Sequence, residues 1–290
     1  MDTDVSLIFT AKSPPGVPKS AVTVVLSEDY NRIILPEHEE HVDEIWNKRL
    51  EKNPSLYNGS KFRLHSVKEN SQSVTFCLGL TDYKQFQTTN WASNADELLQ
   101  LGLKDFGSSQ AYMSDPLGVG AFVLTADEFV VFIRRSQRVG EAAGLWDIPG
   151  GHPEPGEVKG GSSKLQDIIM PNLDPSDVVK EIFQSTLNEI RDEVNIPLEH
   201  LSEPVLMGVG VNHTSSGRPS SEYFVKCSLS SKEVKRLYHE GGPEADESSS
   251  LKLVPLKDIA SLPSSSMWNE MSPSGKGCIL LYNSLQADVR

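Results

Sequence analysis

Apolar positions along this chain switch between a period of two and a helical period, and the switches mark out its elements. Short β-branched runs predict strands at 5–10 and 21–26, separated by a turn rich in proline and glycine. A stripe of Val42, Ile45, Trp46 and Leu50 predicts a helix over 39–50. Segments 62–67 and 74–80 read as a hairpin across the polar turn 68–72, and 94–103 reads as a helix capped by Ser93 or Asn94. From 119 the pattern sharpens. Segments 119–125 and 129–134 form a second hairpin around Ala126-Asp127-Glu128. Asp174-Pro175 opens a long helix, with Asp as N-cap and Pro at the first helical position; Val179, Phe183, Thr186, Ile190 and Val194 make its buried stripe. Strands at 205–211, 223–228 and 251–254 and helices at 231–239 and 277–287 complete the reading. Such mixing predicts an α/β fold with helices covering a sheet on both sides. A boundary near Ser114-Asp115-Pro116 divides the chain into a smaller N-terminal α+β domain, 1–114, and a larger domain, 115–290, with a flexible insertion at about 158–174.

Charge and cysteine usage narrow the function. The net charge of −13 disfavours nucleic acid and anionic membrane, because both attract basic patches. It does not disfavour a small anion held by a cation and a few local basic groups. The three cysteines, Cys77, Cys227 and Cys278, are too far apart for a zinc site and odd in number, which predicts reduced, packed thiols. No apolar run approaches twenty residues, and the start, Met-Asp-Thr-Asp, lacks a signal-peptide pattern. An intracellular protein, cytoplasmic or nuclear, is the expectation. The sequence leaves the oligomeric state open, with a monomer slightly favoured.

The candidate chemistry lies in Glu189-Ile190-Arg191-Asp192-Glu193-Val194-Asn195-Ile196. On a helix Glu189 and Glu193 stack one turn apart, and Asp192 joins the edge of that face. Like charges this close repel unless a cation neutralises them, and carboxylate oxygens suit Mg²⁺, with Mn²⁺ as the alternative. Upstream, Leu145-Trp146-Asp147-Ile148 runs into Pro149-Gly150-Gly151-His152-Pro153-Glu154-Pro155-Gly156-Glu157, a loop suited to metal and diphosphate. Asp147 is placed to accept from a sugar hydroxyl, and His152 to donate to a phosphate. Arg134 and Arg135 end a strand, so their side chains take opposite faces and one of them meets the phosphates; Arg138 is a further candidate. Tyr57 and Tyr83 are suited to stack on a base, and Ser274, at the start of the last helix, to donate to an anion. Lys159-Gly160-Gly161-Ser162-Ser163-Lys164 lacks the spacing of a nucleotide-binding P-loop. Arg218 and Ser220-Ser221 read as a turn without an assigned role.

These segments resemble the Nudix hydrolase family, whose box reads G-x5-E-x7-R-E-U-x-E-E-x-G-U, with U a large apolar residue. Gly151 to Glu157 match its first part and Asn188 to Ile196 its second. Asn188 stands where the family has Arg, Asp192 replaces a Glu, and Asn195 replaces the Gly; the spacer from Glu157 to Asn188 is thirty residues. Asn suits the left-handed helix end that the family's Gly occupies. A resemblance to the branch of the family acting on uridine diphosphate sugars extends over nearly the whole chain. It includes Lys61-Phe62-Arg63-Leu64-His65, Thr89-Asn90-Trp91, Gln110-Ala111-Tyr112, Asp115-Pro116-Leu117-Gly118-Val119-Gly120, and Lys276-Gly277 with Leu281-Tyr282-Asn283. It implies an α/β/α sandwich and Mg²⁺-dependent hydrolysis of UDP-glucose and UDP-galactose to UMP and a hexose 1-phosphate. It also implies metal binding by Glu189 and Glu193 with Asp192 beside them, and substrate contacts from Tyr57, Tyr83, Arg135, Asp147, His152, Glu154 and Ser274. Glu154 and Glu157 compete for one role: Glu157 satisfies the box spacing, and Glu154 belongs to the longer match. A nucleotide-binding module that does not cleave, or a hydrolase of another nucleoside diphosphate such as ADP-ribose, are the alternative readings.

Overall fold

The computed structural model describes residues 2–54, 56–70, 73–137 and 140–287. Its strands are β1 Val5–Thr10, β2 Val17–Pro18, β3 Val22–Leu26, β4 Ser60–Glu69, β5 Val74–Asp82, β6 Gly118–Leu124, β7 Phe129–Arg135, β8 Trp146–Asp147, β9 Gly150–Gly151, β10 Val205–Asn212, β11 Arg218–Lys226 and β12 Ser248–Pro255. The α-helices are α1 Pro36–Lys52, α2 Tyr83–Thr88, α3 Ala95–Phe106, α4 Pro175–Val194, α5 Ser231–Glu240, α6 Ser266–Asn269 and α7 Pro273–Ala287. A nine-stranded sheet runs β1-β10-β11-β6-β7-β12, with β2, β8 and β9 added to β10, β7 and β6; a three-stranded sheet runs β3-β5-β4. In the large sheet β6 and β11 are parallel, and the other pairs are antiparallel. Residues 5–10 pair with β10 and so extend the sheet that holds β6 and β7.

Alternation along the central strands explains the two covering layers. Ala121, Val123, Val131, Ile133 and Val225 share one cluster with Ile190 and Val194 of α4 and Val234 of α5. Phe122, Val130, Phe132 and Phe224 turn the other way, where Phe122 stacks on Tyr282 of α7 with centroids 4.1 Å apart. The expected sandwich is therefore present, with α4 and α5 on one face and α7 on the other. Arg63, buried in β4, ties the small sheet to the segment before β6: it donates to the carbonyls of Tyr30 (2.9 Å), Gln110 (2.7 Å) and Met113 (3.0 Å) and faces Asp115.

Three local expectations are corrected. The strand expected at 223–228 begins at Arg218, because Ser216 and Gly217 take positive φ (51° and 95°) and complete the turn before it. Serines 220 and 221 are strand residues, and the Ser221 hydroxyl bonds the Gly118 carbonyl across the sheet. The last helix begins at Pro273, four residues early, because the buried Ser272 hydroxyl accepts the Gly275 N–H and caps it. The insertion is not loose: Met170 and Leu173 are buried in the core, and Ser60 donates through its N–H to Ser163 and through its hydroxyl to Ser162. The long helix keeps its expected ends. Asp174 accepts from the Ser176 N–H, and Asn195 (φ 63°, ψ 32°) closes α4 in the left-handed conformation while its amide donates to the Leu237 carbonyl. Among the described residues no helix is long and apolar enough to cross a membrane.

Candidate active site

The acidic end of α4 docks on the Pro-Gly-Gly loop through absences as much as contacts. Gly150 and Gly151 pair with Gly120 and Val119 of β6. A Cβ on Gly150 would lie 2.4 Å from the Val119 carbonyl oxygen, so only glycine lets the loop come this close. The Gly150 N–H donates to Glu193 Oε2 at 2.9 Å. The Glu189 carboxylate fills the space that a Cβ on Gly151 would take, with Oε1 2.0 Å from that position. Glu189 thus lines a pocket of about 240 Å³, and Glu193, one turn further along α4 and 3% exposed, lies behind the loop without lining it. Arg135, Asp147, His152, Glu154, Glu189 and Ser274 all line it. Ser272 makes the N-cap bond of α7, which leaves the Ser274 hydroxyl to face the pocket.

Burial and like charge shape the electrostatics. Burial pushes Glu189 up to about 8, and Glu244, Glu247 and Asp192 add to it. Glu193 rises well above the usual carboxylate range through burial, with Glu189 adding repulsion. Burial also raises Asp147, against the pull of the Arg135 guanidinium 3.7 Å away. His152 falls well below its ordinary value, first through burial and then through Arg218, Lys61 and Arg135, so its ring is neutral at neutral pH. Among the described residues no three His, Cys, Asp or Glu side chains are already gathered as a metal cage. The donors nevertheless fit a hard divalent cation: Glu189 and Glu193 offer only oxygen atoms, in a cluster whose repulsion a cation would relieve.

Beside the pocket lies an annex of about 300 Å³, sharing Lys61, Arg135, Glu141, His152 and Glu247 with it and walled by Tyr83, Phe86, Trp91 and Pro116. Phe86 and Trp91 have centroids 4.9 Å apart. The Trp91 indole N–H donates to the Ser215 hydroxyl (3.2 Å), and Asn90 donates to the Ser215 carbonyl (3.2 Å), joining this wall to the β10–β11 turn.

The remaining candidates stand elsewhere. Tyr57 is 61% exposed and lines neither cavity, because the segment between α1 and β4 leaves its ring in solvent. Asp192 is held by its neighbour Arg191 through two bonds of 2.7 and 2.6 Å and does not line the pocket. Glu157 ends a short 3₁₀ turn and is exposed, whereas Glu154 lines the pocket and pairs with Lys61. Arg134 lies over the Trp146 ring and pairs with Glu270 at 2.9 Å, on the face opposite Arg135. Arg138 lies outside the described residues. Lys61, Glu141 and Arg218 line the pocket without having been singled out as site residues. Lys61 belongs to a segment of the family resemblance, and its position in β4 was the available signal. The positive φ at Gly217 that starts β11 at Arg218 is invisible in the sequence.

No family model matches the chain. Among curated proteins, the uridine diphosphate glucose pyrophosphatase NUDT22 of Bos taurus is 46% identical over 291 residues, covering 99% of this chain and 99% of the relative. The protein of the same name from Homo sapiens is 45% identical, covering 99% and 94%. Nudix hydrolase 9 of Arabidopsis thaliana is 32% identical over 262 residues, covering 87% and 83%. With relatives this similar over most of its length, and with the acidic helix end docked on the glycine loop, the chain belongs to the Nudix hydrolase family.

Proposed function

We propose that the protein hydrolyses the diphosphate bridge of UDP-glucose and UDP-galactose, yielding UMP and glucose 1-phosphate or galactose 1-phosphate. The carrying observation is Glu189, seated against Gly151 in a pocket that also holds Arg135 and His152, with Glu193 one turn away bonded to the Gly150 N–H. The relatives' names supply the substrate class. Glu189 and Glu193 would hold Mg²⁺, or Mn²⁺ in its place, with Asp192 behind them. The cation supplies charge neutralisation at the diphosphate and a more acidic water.

The chain's own groups do the rest. Arg135 offers a fixed fork of donors to phosphate oxygens. Neutral His152 donates one ring N–H without adding charge. Asp147 accepts from a substrate hydroxyl. Tyr83, Phe86 and Trp91 offer aromatic faces to the uracil, so residues upstream of 115 take part in choosing the base. Water attacks one phosphorus, the bond from that phosphorus to the bridging oxygen breaks, and the oxygen leaves with the other phosphate. No side chain forms a covalent intermediate.

The test is a panel of UDP-glucose, UDP-galactose, ADP-glucose and ADP-ribose, incubated with Mg²⁺, Mn²⁺ or chelator, with products identified by mass. UMP and hexose 1-phosphate formed only with the cation support the reading. Binding without turnover would replace the enzyme with a nucleotide-binding module.

A further inference from the structure

Arg218 is 5% exposed, yet its donors are poorly used. Nη2 lies 3.3 Å from Glu141 Oε2 and 3.3 Å from Ser274 Oγ, and Nη1 lies 3.3 Å from His152 Nε2. All three are at the long end of the hydrogen-bond range. Nε has no partner among the described residues. A buried guanidinium serving only as structure has its five N–H groups satisfied, because each one left unmade costs free energy. This one lines the pocket, with Nε closed off from solvent and its Nη groups held only by long bonds.

The surrounding backbone makes room for it. A Cβ on Gly118, in the parallel neighbour β6, would lie 2.7 Å from Nη1, so the guanidinium packs where a side chain would otherwise stand. Position along the pocket matters as well. Arg135 and His152 border both the pocket and the aromatic annex, whereas Arg218 and Ser274 border the pocket alone. A ligand with its base in the annex would place its nearer phosphate by Arg135 and its farther phosphate toward Arg218.

We propose that Arg218 is a further substrate-binding residue and that, with the Ser274 hydroxyl, it holds the phosphate on the hexose side of the diphosphate. The proposal rests on reading the pocket as a nucleotide-sugar site. The guanidinium engages the phosphate through its Nη groups, exchanging the long bonds to Glu141 and His152 for phosphate oxygens in a planar geometry that lysine cannot reproduce.

The experiment first measures turnover of UDP-glucose by the unaltered protein. Calorimetric titration with glucose 1-phosphate and, separately, with UMP then compares that protein with Arg218→Gln and Arg218→Lys. Arg218→Gln should weaken glucose 1-phosphate by at least roughly 10-fold and leave UMP within about 2-fold. Arg218→Lys should give a smaller loss in the same direction, and it carries the test alone if the Gln variant does not fold. Equal weakening of both ligands, or unchanged glucose 1-phosphate binding, would overturn the inference while leaving the hydrolase reading intact. Absence of turnover in the unaltered protein would overturn the hydrolase reading, and this inference with it.

Discussion

Replacing Gly151 with alanine should separate the chemistry of this protein from its stability. The new Cβ would lie 2.0 Å from Glu189 Oε1, 2.3 Å from its Cδ and 2.8 Å from Oε2. Contacts below 3.0 Å do not persist, so the carboxylate must retreat by at least about 1 Å. The obstacle is the tip of a flexible side chain, and Gly151 does not have a positive φ, so the backbone accepts alanine without strain. Relief is therefore cheap for the fold. Ordering one alanine in place of glycine even favours folding by roughly 0.4–1 kcal/mol. The chemistry is less forgiving, since a misplacement of about 1 Å costs on the order of 100-fold in rate, or about 2.7 kcal/mol. The expected result is a melting temperature within a few degrees of the parent and a kcat/KM for UDP-glucose reduced roughly 100-fold. Gly150→Ala is the contrast. Its Cβ would meet the Val119 carbonyl at 2.4 Å, so β6 and β9 must part, and stability should fall by about 1–3 kcal/mol. Thermal unfolding and steady-state kinetics of both variants decide the matter, beside Glu189→Gln, which should lose most turnover. Activity within a few-fold of the parent in Gly151→Ala would refute the claim that the position of Glu189 is critical.

Three further outcomes follow from the geometry. Asn195→Val should destabilise by roughly 1 kcal/mol or more, because a β-branched residue resists φ 63°; Asn195→Gly should be near neutral, its freedom offsetting the lost bond to Leu237, and urea unfolding of both checks this. Glu222, buried behind Gly120, has its folded value raised by burial from 4.5 to about 8. Its stabilising contribution is full below about pH 4.5 and is lost as pH rises through 8, so Glu222→Gln should gain on the parent across that window by a few kcal/mol; parallel unfolding profiles from pH 5 to 8 would contradict it. Tyr83→Ala should lower the ratio of UDP-glucose to ADP-glucose turnover, whereas Tyr57→Ala, at an exposed ring, should leave that ratio unchanged.

Helix α4 was the most legible element, because every signal for it is local: a capping Asp-Pro pair, one apolar stripe and an Asn that accepts positive φ. The glycine loop was legible for the same reason. The pairing of β1 with β10 was not, since nothing in Val5–Thr10 encodes a partner some two hundred residues away. Strand β11 reads short in the sequence because its first half carries Arg, Pro and two serines, residues untypical of a strand that become buried only between β6 and β10. Helix α2 has six residues, too few for a periodic pattern, and is started by the Asp82 side chain accepting from Gln85. Among the pocket-lining residues, Glu189 and the loop groups Asp147, His152 and Glu154 are those that spacing or resemblance points to. Lys61 is hidden because one basic residue beside a strand looks the same whether it faces solvent or a pocket, and Arg218 because the chain there reads as a turn until the positive φ at Gly217 is seen. Tyr57 illustrates the reverse: an aromatic ring suited to stacking, left outside by the path of its loop.

The bonds from Asn90 and Trp91 to Ser215 give the cavity a fixed length. Ser215 sits in the turn that leads directly into Arg218, and its hydroxyl also donates to Glu141 at 2.8 Å. The aromatic wall and the first residue of β11 are therefore fastened to the same short turn and cannot drift apart independently. A cavity built this way should act as a gauge: a ligand whose ring and far end are separated by too many or too few bonds would reach only one of the two walls.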